Sequence, residues 1–510
     1  MNKKIIFLLI IILMLSTYLR LSNIDLVTIS SDELGFYNRA KNIIENKELV
    51  FDAISDDYNE AFGPFMFYLF SIPMIFSKDY LFVISFVAIL NVLAVLLCFT
   101  FARKFFNERV ALISSALFAV SPWSIFYSRI LFNVGAIPVF TLLFFYSLFS
   151  IIINNKQKFL ILMFISYAFI LQIHLSALAF LPLFLVPLIY HKKKINFKFL
   201  GYGIISFLLL LTPFIYYNLK NNLQGFKDVI FFTGFQPANT FITNFVEAIG
   251  IPVMLATNYF GKYMFGSLNM FNSNINFLFN IIIYLIVLLF IFGFIYLVRY
   301  LIKFKNFKKD NYKKYLLLFL WTAIPIILLI IRNKNISPHY YEILFPVQFI
   351  VIALFLDKLI NYFKKYNKVI YFSYIIIIIL VLSQAVFWLG FLNFVDKEGG
   401  TNGTYGIPYK YKLEAVNYII DDAKNKNINL ISFNSYPEDY DYLFSLRNIK
   451  PNYIIINSSE EFKNLDEGYM VIDTFSRYGL HMIGDIPKKE VEFFKNLEGK
   501  RIKHLVVVKK

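Results

Sequence analysis

Four groups of residues in this chain could act together on a phosphorylated substrate. Asp32 and Glu33 are adjacent carboxylates at the head of SDELGFYNRAKNIIENKEL. Arg129 is the sole charge in SPWSIFYSRILFNVGAIP, with Asn133 four residues on. His174 stands in LQIHLSAL with no charge beside it, and RNKNISPHYYEILFP gathers Arg332, Lys334, His339 and Tyr340. A carboxylate can take the proton of an acceptor hydroxyl or hold a divalent ion, and fixed cations stabilise a phosphate as it leaves. Such a set suits glycosyl transfer from a lipid phosphate. Each member also has a plainer reading: Asp32 and Glu33 as helix-capping acids favoured by the dipole, Arg129 as a snorkelling arginine at a helix end, His174 as a structural hydrogen-bonding group.

The elements that must position these residues are membrane helices. Of the 510 residues, 58% are hydrophobic, 19% aromatic and 16% charged, a balance outside that of soluble globular domains. Apolar runs near the ~20 residues needed to cross a bilayer recur from Ile5 to Leu392. The net charge of +17 is scattered between these runs, which excludes the concentrated basic domain of a nucleic-acid binder. Alternate loops, 1–4, 103–109, 154–158, 191–198, 299–314 and 358–368, hold 22 Lys and Arg against two acids, Glu108 and Asp310. Positive charge retained inside then orients the chain with its N-terminus in the cytoplasm. About eleven spans follow: 5–21, 79–102, 110–122, 134–153, 159–173, 175–190, 199–217, 278–298, 315–331, 341–357 and 369–392. The run from Phe62 to Phe76, short and broken by Pro64 and Pro73, reads as an interfacial helix. A cleaved leader is disfavoured because no small-x-small site follows the first apolar run.

On this topology every group named above falls on the exterior face. No nucleotide triphosphate is present there, so the activation must arrive in the donor, as a polyprenyl-phosphate sugar dissolved in the bilayer would bring it. The first exterior loop, Ser22 to Phe62, is acidic, with nine carboxylates, and its residues Tyr37, Ala40, Ile43 and Ile44 follow helical spacing. No GxxxxGK[ST], GxGxxG or HExxH pattern occurs. Cys98, the single cysteine, lies in a span and leaves no disulfide for the exterior part. Composition divides the chain into a transmembrane domain, 1–392, and an exterior domain, 393–510. The latter opens on the glycine-rich DKEGGTNGTYGIPY, continues in a helix from Lys410 to Lys424, and holds the β-branched runs INLISF, NYIIIN, YMVID and HLVVVK of a small α/β domain.

At this point the chain resembles the GT-C superfamily of integral membrane glycosyltransferases, in its protein O-mannosyltransferase and lipid A aminoarabinose transferase branch. The likeness rests on Asp32-Glu33, then AFGPFMFYL, then Ser128-Arg129 with Asn133, then His339-Tyr340 with Pro346. It departs at Asn133, where the aminoarabinose transferases have an Asp, and at Phe62-Gly63-Pro64, where they have a Lys before a Pro pair. The resemblance implies a polytopic helical bundle that transfers a sugar from a polyprenyl-phosphate donor to a protein, lipid or cell-wall acceptor outside the plasma membrane. It further implies that Asp32 is general base or metal-linked acid with Glu33 orienting it. Arg129, Arg332, Lys334 and His339 would then face the donor phosphate, and His174, Asn133 and Tyr340 would stand at the cavity rim. A divalent cation at Asp32 stays open as a cofactor. The competing functions are a lipid-linked sugar flippase or another GT-C chemistry, polymerisation or ligation. A flippase should carry polar groups in mid-span, and these spans are almost purely apolar.

Overall fold

The computed structural model describes residues 2–51, 63–191, 195–221, 223, 241–260, 270–304, 309–332, 337–401, 405–426, 437–447, 469–473, 499–503 and 505–509. They form two compact units, one of residues 1–22, 39–259 and 277–387, the other of 23–38, 260–276 and 388–510.

Among the described residues the regular elements of the first unit are all helices. Its order is α1 (Lys3–Leu21), the latter part of α2 (Ser31–Glu45), α3 (Phe65–Met74), α4 (Tyr80–Phe105), α5 (Glu108–Val120), α6 (Pro122–Tyr127), α7 (Ile137–Asn154) and α8 (Phe159–Ile173). A 3-10 segment, Leu175–Phe184, leads into α9 (Leu185–His191), followed by α10 (Phe197–Lys220), α11 (Phe241–Met254), α12 (Ser273–Lys303) and α13 (Asp310–Arg332). A second 3-10 segment, Pro338–Leu344, leads into α14 (Phe345–Tyr362), and α15 (Asn367–Glu398) closes the series.

Polar caps start the helices where the apolar runs begin. Asp79 accepts from the Phe82 amide at 2.8 Å and Asn107 from the Val110 amide at 2.9 Å, each satisfying an amide that the first turn leaves without a helical partner. At the far end of α7, Asn155 turns the chain in a left-handed conformation, φ 53°.

All eleven expected segments are helical. Eight helical segments among the described residues are long and apolar enough to cross a membrane: Lys3–Leu21, Tyr80–Phe105, Asn133–Asn154, Phe197–Lys220, Ser273–Lys303, Asp310–Ile331, Pro338–Tyr362 and Ile370–Glu398. The other three, α5, α8 and the segment Leu175–His191, are shorter. At 10 residues, α3 rises only ~15 Å, in keeping with a helix that does not cross. Of an 18-residue apolar stretch within Pro338–Tyr362, 83% is buried inside the protein, against 17% of such a stretch in α10. Pro338–Tyr362 is therefore a central helix, whereas α10 turns Ile205, Leu209 and Tyr216 outward as lipid-facing helices do. Around the centre α4 packs on α5 and α7, α7 on α8, α8 on α10, and α5 on α14. Trp321 stacks on Phe145 with ring centroids 3.7 Å apart and donates its indole N–H to the Ile343 carbonyl at 2.9 Å. Large flat side chains thus fix the approach to α14 through both dispersion and a directed bond.

The second unit combines the start of α2 with a C-terminal portion: the end of α15, α16 (Tyr409–Lys426), α17 (Pro437–Ser445) and a three-stranded antiparallel sheet. The strands β1 (Tyr469–Asp473), β2 (Lys500–Ile502) and β3 (Leu505–Lys509) lie in the order β1-β3-β2, with Val471 opposite Val507 and Arg501 opposite Val506. The expected strands YMVID and HLVVVK are β1 and β3; INLISF and NYIIIN lie outside the described residues. After α15 the chain reverses through Gly399 and Gly400, φ 83° and 135°. A Cβ on Gly400 would meet the Gly406 carbonyl oxygen at 2.5 Å, so glycine is required there on both conformation and space. The expected helix from Lys410 to Lys424 is α16.

Candidate active site

Three chain segments of the first unit meet around two histidines. The first is the turn between α6 and α7, the second the end of α8, and the third the 3-10 segment before α14. His174 ends α8 in an extended conformation that lets its Nδ1 accept from the Ser176 amide at 3.1 Å. An acceptor at Nδ1 puts the proton of a neutral ring on Nε2. Asn133 donates to the Ile173 carbonyl at 3.0 Å, tying the α6–α7 turn to the backbone just before His174. His339 shares a 2.9 Å hydrogen bond with the Ser337 hydroxyl through Nδ1. Its ring stands edge-on to His174 at 5.5 Å, to Tyr340 at 4.6 Å and to Phe132 at 6.2 Å, while Tyr340 lies 5.1 Å from His174. His174 and Asn133 are buried, whereas His339 and Tyr340 are half-buried. The cluster therefore has a fixed floor of His174 and Asn133 beneath two reachable polar rings. Such rings can donate hydrogen bonds to an oxyanion.

The first unit also takes up two arginines. Arg129 is buried and its Nη1 donates to the carbonyl oxygens of Arg20 at 3.1 Å and Ser22 at 2.6 Å. These are orphan acceptors at the end of α1, which a guanidinium satisfies well. Burial replaces the reading of Arg129 as a snorkelling side chain. Arg20 is fully buried and binds Ser16 Oγ at 2.9 Å, the Ala119 carbonyl at 2.7 Å and Ser124 Oγ at 2.9 Å. It joins α1, α5 and α6. The sequence carried a signal for it, a lone arginine at the outer end of a span where positive charge is disfavoured.

A further acid escaped the sequence reading. Glu342 follows His339 by three residues, one turn of a 3-10 helix. It is fully buried, and neither of its carboxyl oxygens has a hydrogen-bond partner among the described residues. Its signal was a single carboxylate in an otherwise apolar stretch. Of the expected cations, Arg332 ends α13, and Lys334 lies outside the described residues.

The acidic pair belongs to the second unit. Asp32 is exposed in the first turn of α2, while Glu33 is 5% exposed and its Oε1 accepts from Thr28 Oγ1 at 2.8 Å and Ser30 Oγ at 3.3 Å. The adjacent acids thus differ: one faces outward and the other is held by hydroxyls. The segment leading to them is gripped by the C-terminal portion. Tyr405 donates its hydroxyl to the Leu26 carbonyl at 2.5 Å, the Tyr409 amide binds the Val27 carbonyl at 2.9 Å, and Lys412 Nζ binds the Ile29 carbonyl at 3.1 Å. Tyr37 and Tyr442 meet edge to face at 5.1 Å. Below this, the Asp396 carboxylate, 2.7 Å from Lys410 Nζ, holds that ammonium above its ordinary range. Among the described residues no group of three His, Cys, Asp or Glu side chains is placed to hold a metal ion.

No family model matches the chain, and no curated protein matches it. Solved structures do. ArnT from Cupriavidus metallidurans in the apo state aligns over 99% of this chain and 97% of its own at 12% identity, TM-score 0.57. The same protein bound to undecaprenyl phosphate aligns with the same coverage and identity, TM-score 0.52. The archaeal oligosaccharyltransferase AglB from Archaeoglobus fulgidus, in complex with an inhibitory peptide and a dolichol-phosphate, aligns over 92% of this chain and 69% of its own at 14% identity, TM-score 0.51. At these identities the agreement is one of fold. Together with the helical bundle and the C-terminal portion described above, it identifies this chain as a polytopic membrane protein with the GT-C fold.

Proposed function

We propose that the protein transfers a sugar from a polyprenyl-phosphate-linked donor to an acceptor hydroxyl at the exterior face of the plasma membrane. The observation that carries this reading is the convergence of His339, Tyr340, His174 and Asn133 at one end of the helical unit, in a fold of which one solved example is bound to undecaprenyl phosphate. In the reaction the acceptor oxygen bonds to the sugar's anomeric carbon as the bond from that carbon to the phosphate oxygen breaks. The acceptor proton passes to Asp32, which is exposed in the first turn of α2. The lipid phosphate departs with the bonding electrons. His339 and Tyr340 donate to it, aided by Arg332 and Lys334. Glu33, fixed by Thr28 and Ser30, sets the direction of the first turn of α2. If a divalent ion takes part, Asp32 is the residue that would hold it. Protein, lipid and cell-wall glycan are all acceptors to be tried.

The test is transfer of label from a radiolabelled polyprenyl-phosphate sugar in membranes holding equal amounts of wild type, Asp32→Asn or His339→Ala. Asp32→Asn is expected to lose ~100-fold or more in rate, the usual scale for a general base. Removing one oxyanion donor in His339→Ala should cost ~10². Full activity in Asp32→Asn moves the base to another residue. Absence of transfer to any acceptor, with labelled lipid exchanging between leaflets, turns the reading to a flippase.

A further inference from the structure

At the other end of α14 from the histidine cluster, five helix termini of the first unit surround a cavity of about 150 Å³. They are the ends of α4, α12 and α14 and the starts of α5 and α13, the ends whose loops carry the excess of Lys and Arg. Phe105, Phe106 and Leu354 contribute apolar lining, and Asn107, Asn311, Tyr296, Tyr315, Lys314, Lys358 and Asp357 contribute polar lining.

The charges in this cavity do not cancel. Asp357 is its one acid, and both of its oxygens are taken: Oδ1 by Arg109 Nη1 at 2.7 Å, and Oδ2 by the side-chain amides of Asn107 at 3.0 Å and Asn361 at 3.1 Å. The nearby acid at the start of α13, Asp310, accepts from Lys313 at 3.2 Å. Lys314 and Lys358 make no hydrogen bond or ion pair among the described residues. The two lysines face a partly enclosed polar space with amide and phenol donors around them; Asp310 acts on Lys314 through space, and neither lysine is paired directly with an anion among the described residues.

We propose that this cavity binds a phosphate group, held by Lys314 and Lys358 with Asn311 as a further donor. Its mixed polar and apolar lining and its position among helix ends suit the phosphodiester of an anionic lipid in the inner leaflet, and free phosphate shares the same chemistry. The site is separate from the donor site and independent of whether Asp32 is the catalytic base.

The experiment uses the purified full-length chain in detergent. Wild type, Lys314→Gln/Lys358→Gln and Lys314→Arg/Lys358→Arg are titrated with phosphatidylglycerol, phosphatidylcholine or inorganic phosphate, followed by native mass spectrometry and thermal unfolding. At about fivefold in affinity per lysine, the double Gln variant should bind phosphatidylglycerol at least ~10-fold more weakly, while the Arg variant retains it. Stabilisation by phosphatidylglycerol alone assigns the site to lipid, and stabilisation by inorganic phosphate alone assigns it to the free ion. Equal retention of phosphatidylglycerol by wild type and the Gln variant, or no preference of the wild type for either phosphate source over phosphatidylcholine, overturns the proposal. The single variant Lys358→Gln, at an exposed position, should unfold at the wild-type temperature in phosphatidylcholine. If the double variant fails to fold, this single variant carries the binding test on the same criteria.

Discussion

At the scale of single residues, the buried arginines and the buried acid make the sharpest demands. Arg20 donates to Ser16, Ala119 and Ser124, so Arg20→Met would strand a helix-end carbonyl and two hydroxyls. Each unmet buried group costs ~1–3 kcal/mol, and the variant should unfold at a clearly lower temperature in detergent. Glu342 calls for the opposite result. An ionised carboxylate with no partner is costly in an apolar interior, whereas an amide of nearly the same shape has no charge to desolvate. Glu342→Gln should therefore fold at wild-type yield or better, and Glu342→Lys should not accumulate, both read from the amount of folded protein in the membrane. His174, His339, Tyr340 and Asn133 were legible in the sequence because polar residues at the ends of apolar runs require a local reason. Glu342 was not, since one acid beside a His-Tyr pair reads as part of a loop until the 3-10 segment is seen to be buried.

At the scale of elements, the residues preceding the acidic pair are held by α16 and the turn before it. Replacing Lys412 with Met removes the bond to the Ile29 carbonyl, and Tyr405→Phe removes the bond to the Leu26 carbonyl. Together they should slow sugar transfer by ~10-fold or more, the scale on which a small misplacement of a reacting group is felt, with donor-lipid affinity unchanged in a binding assay. A drop in affinity with an unchanged maximal rate would assign these bonds to another task. Hydrogen bonding from Lys78 holds the Glu45 carboxyl below its usual range. The tie between α2 and the start of α4 is then present above the ordinary carboxylate pKa and fades as pH falls through the lowered one. Both side chains are partly exposed, so the change in melting temperature on acidification should be small. Most helices were readable from apolar length and capping residues. Neither α11, whose apolar residues are interrupted by Asn244, Glu247, Gly250 and Pro252, nor β2, whose three residues are too few to show alternation, was readable in this way.

At the scale of the whole molecule, the charge count predicts which sides the loops occupy, and single-cysteine labelling can check it. Cys98 is buried, so an impermeant maleimide should react only with an introduced thiol. Leu446→Cys should label on intact cells and Tyr362→Cys only after permeabilisation; the reverse pattern would invert the topology. The membrane character and the bundle were legible from composition, whereas the grouping of residues 23–38 with the C-terminal portion was not, since it depends on hydrogen bonds between segments nearly 400 positions apart. The three short helical segments, α5, α8 and Leu175–His191, have one more consequence. The 13 residues of α5 and 15 of α8 rise only ~20 Å, against a hydrocarbon layer of ~30 Å. Measured from the cytoplasmic ends of these two helices, the far ends of α5 and α8 therefore stand ~10 Å short of the opposite headgroups. Either the bilayer dimples to meet them or the donor phosphate sinks toward them, and in both cases membrane thickness becomes a kinetic variable. Turnover should rise in vesicles of shorter-chain lipid and fall as the acyl chains lengthen, with no change in the protein.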